Sequence, residues 1–223
     1  DDFAWHIDFA PTLLEVAGVA VPARFAGRSL VPLLKSDRAG RVEPARDRAY
    51  TALERHTWCR PEGATYPIRA VRTHDFLYLR NFEPDRWPTG GPEFVSSNKP
   101  FHGDVDGAPI KDFMEDPVNQ RRFACEFALC YGKRPLEELY DVRTDPDQLN
   151  NLAADPRHTA VKEKLWRELR AYLEQTGDPR VAGRDPWQAY AYRQTVGYGA
   201  TYNRILTAAE RDAAAGRGAH KPQ

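Results

Sequence analysis

Glu54-Arg55-His56 places a carboxylate, a guanidinium and an imidazole side by side at the end of Arg48 to Leu53, a run that reads as a β-strand. Side chains leaving a strand end can converge on a cleft, where Arg and His suit sulfate oxygens and Glu suits sugar hydroxyls or an amine. The competing reading is an exposed, charged strand end. Arg69, Arg72 and Arg80 either extend such a basic site or pair with nearby Glu and Asp, and pairing is the default. Metal chemistry has weaker support. His56-x2-Cys59 and Cys125-x4-Cys130 supply zinc-type ligands, but 65 residues separate the halves, and unrelated thiols are the simpler reading. Asp1-Asp2 lacks a strand to hold it rigid and reads as frayed terminal acid, and Asp104-x-Asp106 lacks the rest of a calcium loop and reads as a polar turn.

These groups need elements to position them. Pro11-Thr12 opens an apolar run that Gly18 stops, so residues 3–17 carry a helix signal. Loop follows to Pro32, then a brief apolar stretch from Leu30 to Leu34, then a solvated loop over 35–47. Tyr66 to Thr73 and Phe76 to Phe82 read as two strands joined through His74-Asp75, the spacing of a tight hairpin. Phe76, Tyr78, Arg80 and Phe82 fall on one face of the second strand and Leu77, Leu79 and Asn81 on the other, so a helix is expected against one of them. Glu83 to Pro117 is rich in Pro and Gly and has no sustained period, which predicts a long irregular segment of the functional kind. Glu137 to Val142 is a fourth strand. Asp145-Pro146 and Asp155-Pro156 each predict a helix start, and the second opens the clearest helix, with Val161, Leu165, Leu169 and Leu173 on one stripe up to Gly177. Trp187, Tyr190, Tyr192, Tyr198 and Tyr202 mark an aromatic tail, followed by a polar end from Ala208 that is expected to fray.

The 223 residues suffice for a core without disulfide or metal staples, and three cysteines make no disulfide scaffold. Lys plus Arg equals Asp plus Glu at 32 each, which removes the field that would steer a chain to nucleic acid or an anionic membrane. No apolar run reaches the roughly 18 residues of a membrane helix. The 25 Arg against 7 Lys favour bidentate oxyanion contacts, although a GC-rich genome gives the same bias. The start at Asp1, without methionine, is read as a cut from a longer parent.

Taken in order, His6-Ile7-Asp8-Phe9-Ala10-Pro11-Thr12-Leu13-Leu14-Glu15-Val16-Ala17-Gly18, then Gly27-Arg28-Ser29-Leu30-Val31-Pro32-Leu33-Leu34, then Glu138-Leu139-Tyr140-Asp141 with Asp145-Pro146 and Asn151-Leu152-Ala153, resembles the C-terminal third of type I sulfatases. Glu54-Arg55-His56 with Tyr66-Pro67-Ile68-Arg69-Ala70-Val71-Arg72-Thr73 and Asn81-Phe82 looks most like the heparan N-sulfatase branch, the N-sulfoglucosamine sulfohydrolases. The resemblance runs from about residue 3 to 180.

It implies an alkaline-phosphatase-like α/β parent, whose large domain carries formylglycine and calcium. The smaller α+β C-terminal domain would be a four-stranded antiparallel sheet packed with a long helix. Residues 1–45 would close the large domain, 46–180 form the small one, and 181–223 extend it. Cys59-Arg60-Pro61 departs from the family's C-x-P-S-R motif, because Glu62 and Gly63 stand where Ser and Arg are needed, so Cys59 is expected to be a small buried hydrophobe. No catalytic residue, metal ligand or cofactor is assigned to this chain, and alone it is expected to be inactive. Its implied substrate-binding residues are Glu54, Arg55 and His56, with Arg86, Lys99 and His102 from the long segment as weaker candidates. The implied partners are a sulfated sugar and the N-terminal catalytic domain, with an oligomer left open and neither nucleic acid nor membrane. A periplasmic, secreted or lysosome-like setting follows from the family. The alternative is a stand-alone α+β module that binds sulfated carbohydrate.

Overall fold

A computed structural model describes residues 1–92, 94–96, 99–187 and 204–205 of the 223. The predicted tail residues Tyr190, Tyr192, Tyr198 and Tyr202 lie outside the described residues.

A single 3-10 turn, His6–Asp8, leads into helix α1, Phe9–Val16. Asp8 at its start is buried and accepts from the backbone N–H groups of Trp5 (3.1 Å) and Arg28 (2.8 Å). The Thr12 hydroxyl donates to the Asp8 carbonyl at 2.6 Å and accepts from Leu30 N–H at 2.8 Å, so α1 is tied to the entry of the short helix α2, Val31–Leu34. Gly27 is required by contact: a Cβ there would lie 1.9 Å from the carbonyl oxygen of Ile7. The 35–47 loop forms as a loop, yet it contains Arg46, buried against Asp8 at 2.8 Å and donating also to the carbonyls of Arg28 (3.0 Å) and Ser29 (2.8 Å). Frayed acid at Asp1-Asp2 is corrected as well. The Asp2 carboxylate accepts from Val42 N–H (2.7 Å) and Glu43 N–H (2.8 Å), partners forty residues distant that local reading cannot supply.

Strands β1 (Arg48–Leu53), β2 (Ile68–Thr73) and β3 (Phe76–Asn81) form where the sequence predicts strands, β2 starting two residues later and β3 ending one earlier. The β2–β3 turn is closed by Thr73, whose hydroxyl donates to Phe76 C=O (3.1 Å) and accepts from Phe76 N–H (3.0 Å). Between β3 and the next long strand lie β4 (Phe94–Ser96), β5 (Lys99–Pro100) and helices α3 (Pro109–Glu115), α4 (Pro117–Arg122) and α5 (Ala124–Tyr131). The predicted irregular segment therefore ends early. Pro109 sits in the first turn of α3, where a missing N–H costs nothing, so a proline that reads as a breaker acts as a helix start. Strand β6, Glu137–Asp141, completes an antiparallel sheet of order β1-β2-β3-β6.

Asp145-Pro146 does not open a helix. Its carboxylate accepts from Leu149 N–H (3.1 Å) and Asn150 N–H (2.9 Å) around Gln148 at φ 58°, which makes a tight turn with the same sequence signature as a cap. Asp155 behaves as expected: it caps Arg157 N–H at 2.9 Å, and one 3-10 turn later α6 runs Thr159–Gln175. Leu165, Leu169 and Leu173 of α6 bury against Val71, Tyr78 and Leu139 of the sheet. Each such leucine contributes about 1.5–3 kcal/mol relative to exposure. The helix covers the Phe76, Tyr78 and Phe82 face of β3. Trp5 reaches the same layer, its indole N–H donating to Arg48 C=O (3.1 Å), beside Tyr50 and Tyr172 stacked at 3.8 Å. Arg204–Ile205 forms a last strand, β7, in a second small sheet of order β5-β4-β7.

Candidate functional site

The chain leaving β1 carries Glu54, Arg55 and His56 in three directions. Glu54 turns inward: it accepts from Arg69 Nη2 (2.6 Å) and from Arg180 Nε (3.1 Å) and Nη2 (2.5 Å). Asp178 completes the knot by accepting from Arg69 Nε at 2.6 Å, and Asp185 takes Arg180 at 3.2 Å. Both arginine side chains are about nineteen-twentieths buried, so this carboxylate is committed to a structural ion network joining β1, β2 and the turn after α6. Arg69 thus pairs, as its default reading held, and Arg80 does likewise with Glu137 at 3.2 Å.

Arg55 donates to Gly63 C=O at 2.9 Å and lies 5.0 Å over the Trp187 ring. His56 is the exposed member, its Nδ1 facing Asp104 Oδ1 at 3.3 Å. Asp104 also receives Arg60 Nη2 at 3.1 Å, so the residue read as part of a bare polar turn bridges an exposed imidazole and a buried guanidinium. Arg60 in turn donates to the carbonyls of Trp87 (2.6 Å) and Pro88. Gly90, at φ 85°, allows the 87–90 segment to approach Cys59, where a Cβ would come within 2.8 Å of the Cys59 carbonyl oxygen. Cys59 itself is buried and its thiol is pushed up to about 12 by burial, so it stays protonated and un-nucleophilic, as expected of a core cysteine.

A cleft of about 320 Å³ opens beside Arg60, lined by Pro61, Ala64, Asp85, Arg86, Trp87, Gly91 and Lys133. Arg86 is held in its wall by donation to Thr65 C=O (3.0 Å) and by Glu83 at 3.5 Å. Lys133 Nζ lies 5.4 Å over the Trp87 ring. Of the residues predicted to bind substrate, the structure brings Arg86 to this cleft. His56 is linked to it through Asp104 and Arg60, and Glu54 sits in the ion network. The side chain of Lys99 lies outside the described residues.

His102 is buried against the cleft residue Trp87 (ring centroids 6.3 Å apart), its Nδ1 hydrogen-bonded with the Thr89 hydroxyl (3.0 Å) and Gly90 C=O (3.1 Å), its ring packed on Tyr131 at 4.6 Å. Beneath it, Lys111 Nζ donates to the carbonyls of His102 (3.1 Å) and Val105 (2.8 Å) and faces Glu115 at 3.6 Å. Burial, with Lys111 adding to it, lowers the His102 pKa to about 4 from 6.5. Burial raises Glu115 to about 7 from 4.5, against the pull of Lys111.

The linkage signs are opposite. The unfolded histidine takes up a proton that the folded one refuses, so stability falls as pH drops from 6.5 towards 4. The folded glutamate holds a proton that the unfolded one has lost, so stability falls as pH rises from 4.5 to 7. The two slopes offset between pH 4.5 and 6.5. Glu115→Gln is therefore expected to expose the His102 slope alone, with urea midpoints declining steadily below pH 6.5. Parallel midpoint profiles for the variant and the parent chain would remove Glu115 from this account.

Arg60, Trp87 and Lys133 were not singled out as site residues from sequence. The signal was present in Glu83-Pro84-Asp85-Arg86-Trp87-Pro88, where an Arg-Trp pair sits between two prolines, but Lys133 is brought there only by the chain's return through α5. Among the described residues, no group of three or more His, Cys, Asp and Glu is placed to hold a metal ion. Cys59, buried in a Cys-Arg-Pro-Glu-Gly context, does not fit formylglycine.

A family model described as N-sulphoglucosamine sulphohydrolase, C-terminal, matches residues 1–87. An ulvan-active sulfatase of Formosa agariphila is 28% identical over 173 residues, covering 78% of this chain and 29% of that protein. A Delta 4,5-hexuronate-2-O-sulfatase of Bacteroides thetaiotaomicron is 27% identical over 168 residues, 75% of this chain and 22% of that protein. The N-sulphoglucosamine sulphohydrolase of Homo sapiens is 25% identical over 193 residues, 80% of this chain and 34% of that protein. The chain spans less than a third of the length of the two ulvan-active sulfatases it matches.

Proposed function

We propose that this chain, which resembles type I sulfatases in their C-terminal portion, serves as the C-terminal part of an enzyme hydrolysing sulfate esters or sulfamates on glycosaminoglycan-type sugars. In this reading it presents substrate-binding groups on the 55–60 turn and the 85–87 segment, and a catalytic domain supplies the nucleophile and metal. The observation that carries it is the bare apolar face of the first 34 residues. Leu13, Val16 and Leu34 are 69%, 71% and 74% exposed, with Ile7, Phe9 and Val19 also exposed around them. A patch of this kind marks a surface that another body covers, and the relatives contain about two thirds or more of their length beyond the part matched here. On its other side the segment is closed, with Val31 buried and Asp8 paired to Arg46.

The groups left for substrate are few and directional. Arg55 and Arg86 can donate to sulfate oxygens, and exposed His56 can donate when protonated. Two measurements test the reading. The 223-residue chain alone should release no sulfate from N-sulfoglucosamine or a sulfated hexuronate. It should also bind a hydrophobic dye or self-associate, and Leu13→Glu with Val16→Lys should suppress that. Calcium-dependent turnover by the isolated chain, abolished by Cys59→Ala, would overturn the proposal. So would a dye-silent monomer.

A further inference from the structure

We infer that the cleft beside Arg60 is a binding subsite for an anionic sugar residue other than the one that reacts, with Lys133, Arg60 and Arg86 taking its carboxylate or sulfate and Asp85 a hydroxyl. This inference rests on the carbohydrate reading above. Its own basis is a set of cations fixed in place with hydrogen-bonding capacity left over.

The Arg60 side chain is 3% exposed, and Nε and Nη2 are occupied by Trp87 C=O, Pro88 C=O and Asp104. Nη1 is buried and has no acceptor among the described residues, so it meets an oxyanion only if the cleft wall shifts on binding. A buried charged donor left without an acceptor is costly, which favours that shift, and a guanidinium edge is shaped for an oxyanion. Lys133 has no carboxylate within ion-pair distance among the described residues, and the Trp87 ring is its recorded neighbour. A ligand oxyanion would supply the counter-charge that the described residues do not. Arg86, fixed to Thr65 C=O, adds a third cation without needing to be ordered on binding.

Two features favour a sugar over inorganic anion. Asp85 stands in the same wall, where it repels a bare oxyanion but accepts from a hydroxyl. A cleft of about 320 Å³ is also at the small end of the range for ligand pockets, matched to a monosaccharide unit. The subsite is separated in function from His56: the imidazole is exposed on the far side of Asp104, and no lining residue is shared with the 54–56 turn.

The test is titration calorimetry of the full chain with an unsulfated hexuronate disaccharide, with N-sulfoglucosamine and with inorganic sulfate. At least one sugar should bind, more tightly than inorganic sulfate. Lys133→Glu, an exposed position where the fold has little at stake, should weaken that binding about tenfold or more, as should Arg86→Ala. Lys133→Arg should retain most of it, and Arg157→Ala, which removes an exposed cation outside the cleft lining, should change it less than about twofold. Preference for the uronate identifies a carboxylate as the recognised group, preference for N-sulfoglucosamine a sulfate, and both support the subsite. Sugar binding lost in His56→Ala but unchanged in Lys133→Glu overturns the subsite and leaves the sulfatase reading standing. Inorganic sulfate binding as tightly as either sugar reduces the cleft to an anion site and overturns the sugar assignment. No binding by any sugar overturns the subsite, while the sulfatase reading is decided by the turnover and dye measurements.

Discussion

Glu54→Ala should destabilise the fold by about 3–5 kcal/mol, the range for removing one partner of a buried ion network. The charge removed is the one that two buried arginines share. Arg69 would keep Asp178 at 2.6 Å and Arg180 would keep Asp185 at 3.2 Å, so the loss falls short of stranding either ion completely. What remains is two guanidinium groups facing one another's charge with two acceptor oxygens gone. Glu54→Gln keeps the shape and one acceptor and should cost roughly half as much. Urea denaturation followed by tryptophan fluorescence and by circular dichroism gives the comparison, with the m-value unchanged if the effect lies in the native state. A Glu54→Ala chain as stable as the parent, yet weaker for sulfated sugar, would return Glu54 to the binding role that its position beside Arg55 and His56 suggests.

Arg46→Ala should cost a similar amount, about 3–5 kcal/mol, and its effect should be local. Arg46 is the hub on which the first 34 residues close: Asp8, Glu43 and the carbonyls of Arg28 and Ser29 all receive its protons. Without it, Asp8 keeps its backbone donors but remains a buried carboxylate lacking a cation. Apolar packing cannot make good the loss, since the apolar side of α1 faces outward. Hydrogen exchange should therefore quicken at the amides of Arg28 and Leu30, while those of α6 hold their protection. Arg46→Lys should not rescue, because one ammonium cannot reach four acceptors spread around a planar fork. Equal loss of protection in α6 would mean that the segment and the sheet unfold as one unit.

The scaffold was legible from local pattern. The strand runs at Arg48 to Leu53 and Phe76 to Asn81, and the four-residue spacing of Leu165, Leu169 and Leu173, are each properties of a single element, and the structure realises them with those boundaries or nearly so. The resemblance to sulfatases was legible for the same reason, being carried by short contiguous runs. Errors arose where one signature serves two structures. Asp-Pro reads identically at 145 and 155, and the chain beyond decides between a turn held by Asp145 and a helix capped by Asp155. In 83–117 the prolines hid α3, because proline breaks a helix interior but suits its first turn.

For the candidate site the division is sharper. The sequence by itself determined which charged groups exist, that they sum to zero, and that Arg55 and His56 follow a strand end. Which of them are free to meet a ligand was decided by tertiary structure alone. Glu54 finds Arg180 across 126 positions, Asp104 finds Arg60 across 44, and Lys133 comes to Trp87 only through the return of α5. A charge is available or consumed according to its counter-ion, and counter-ions here are chosen by the packing of distant segments, which no local spacing encodes.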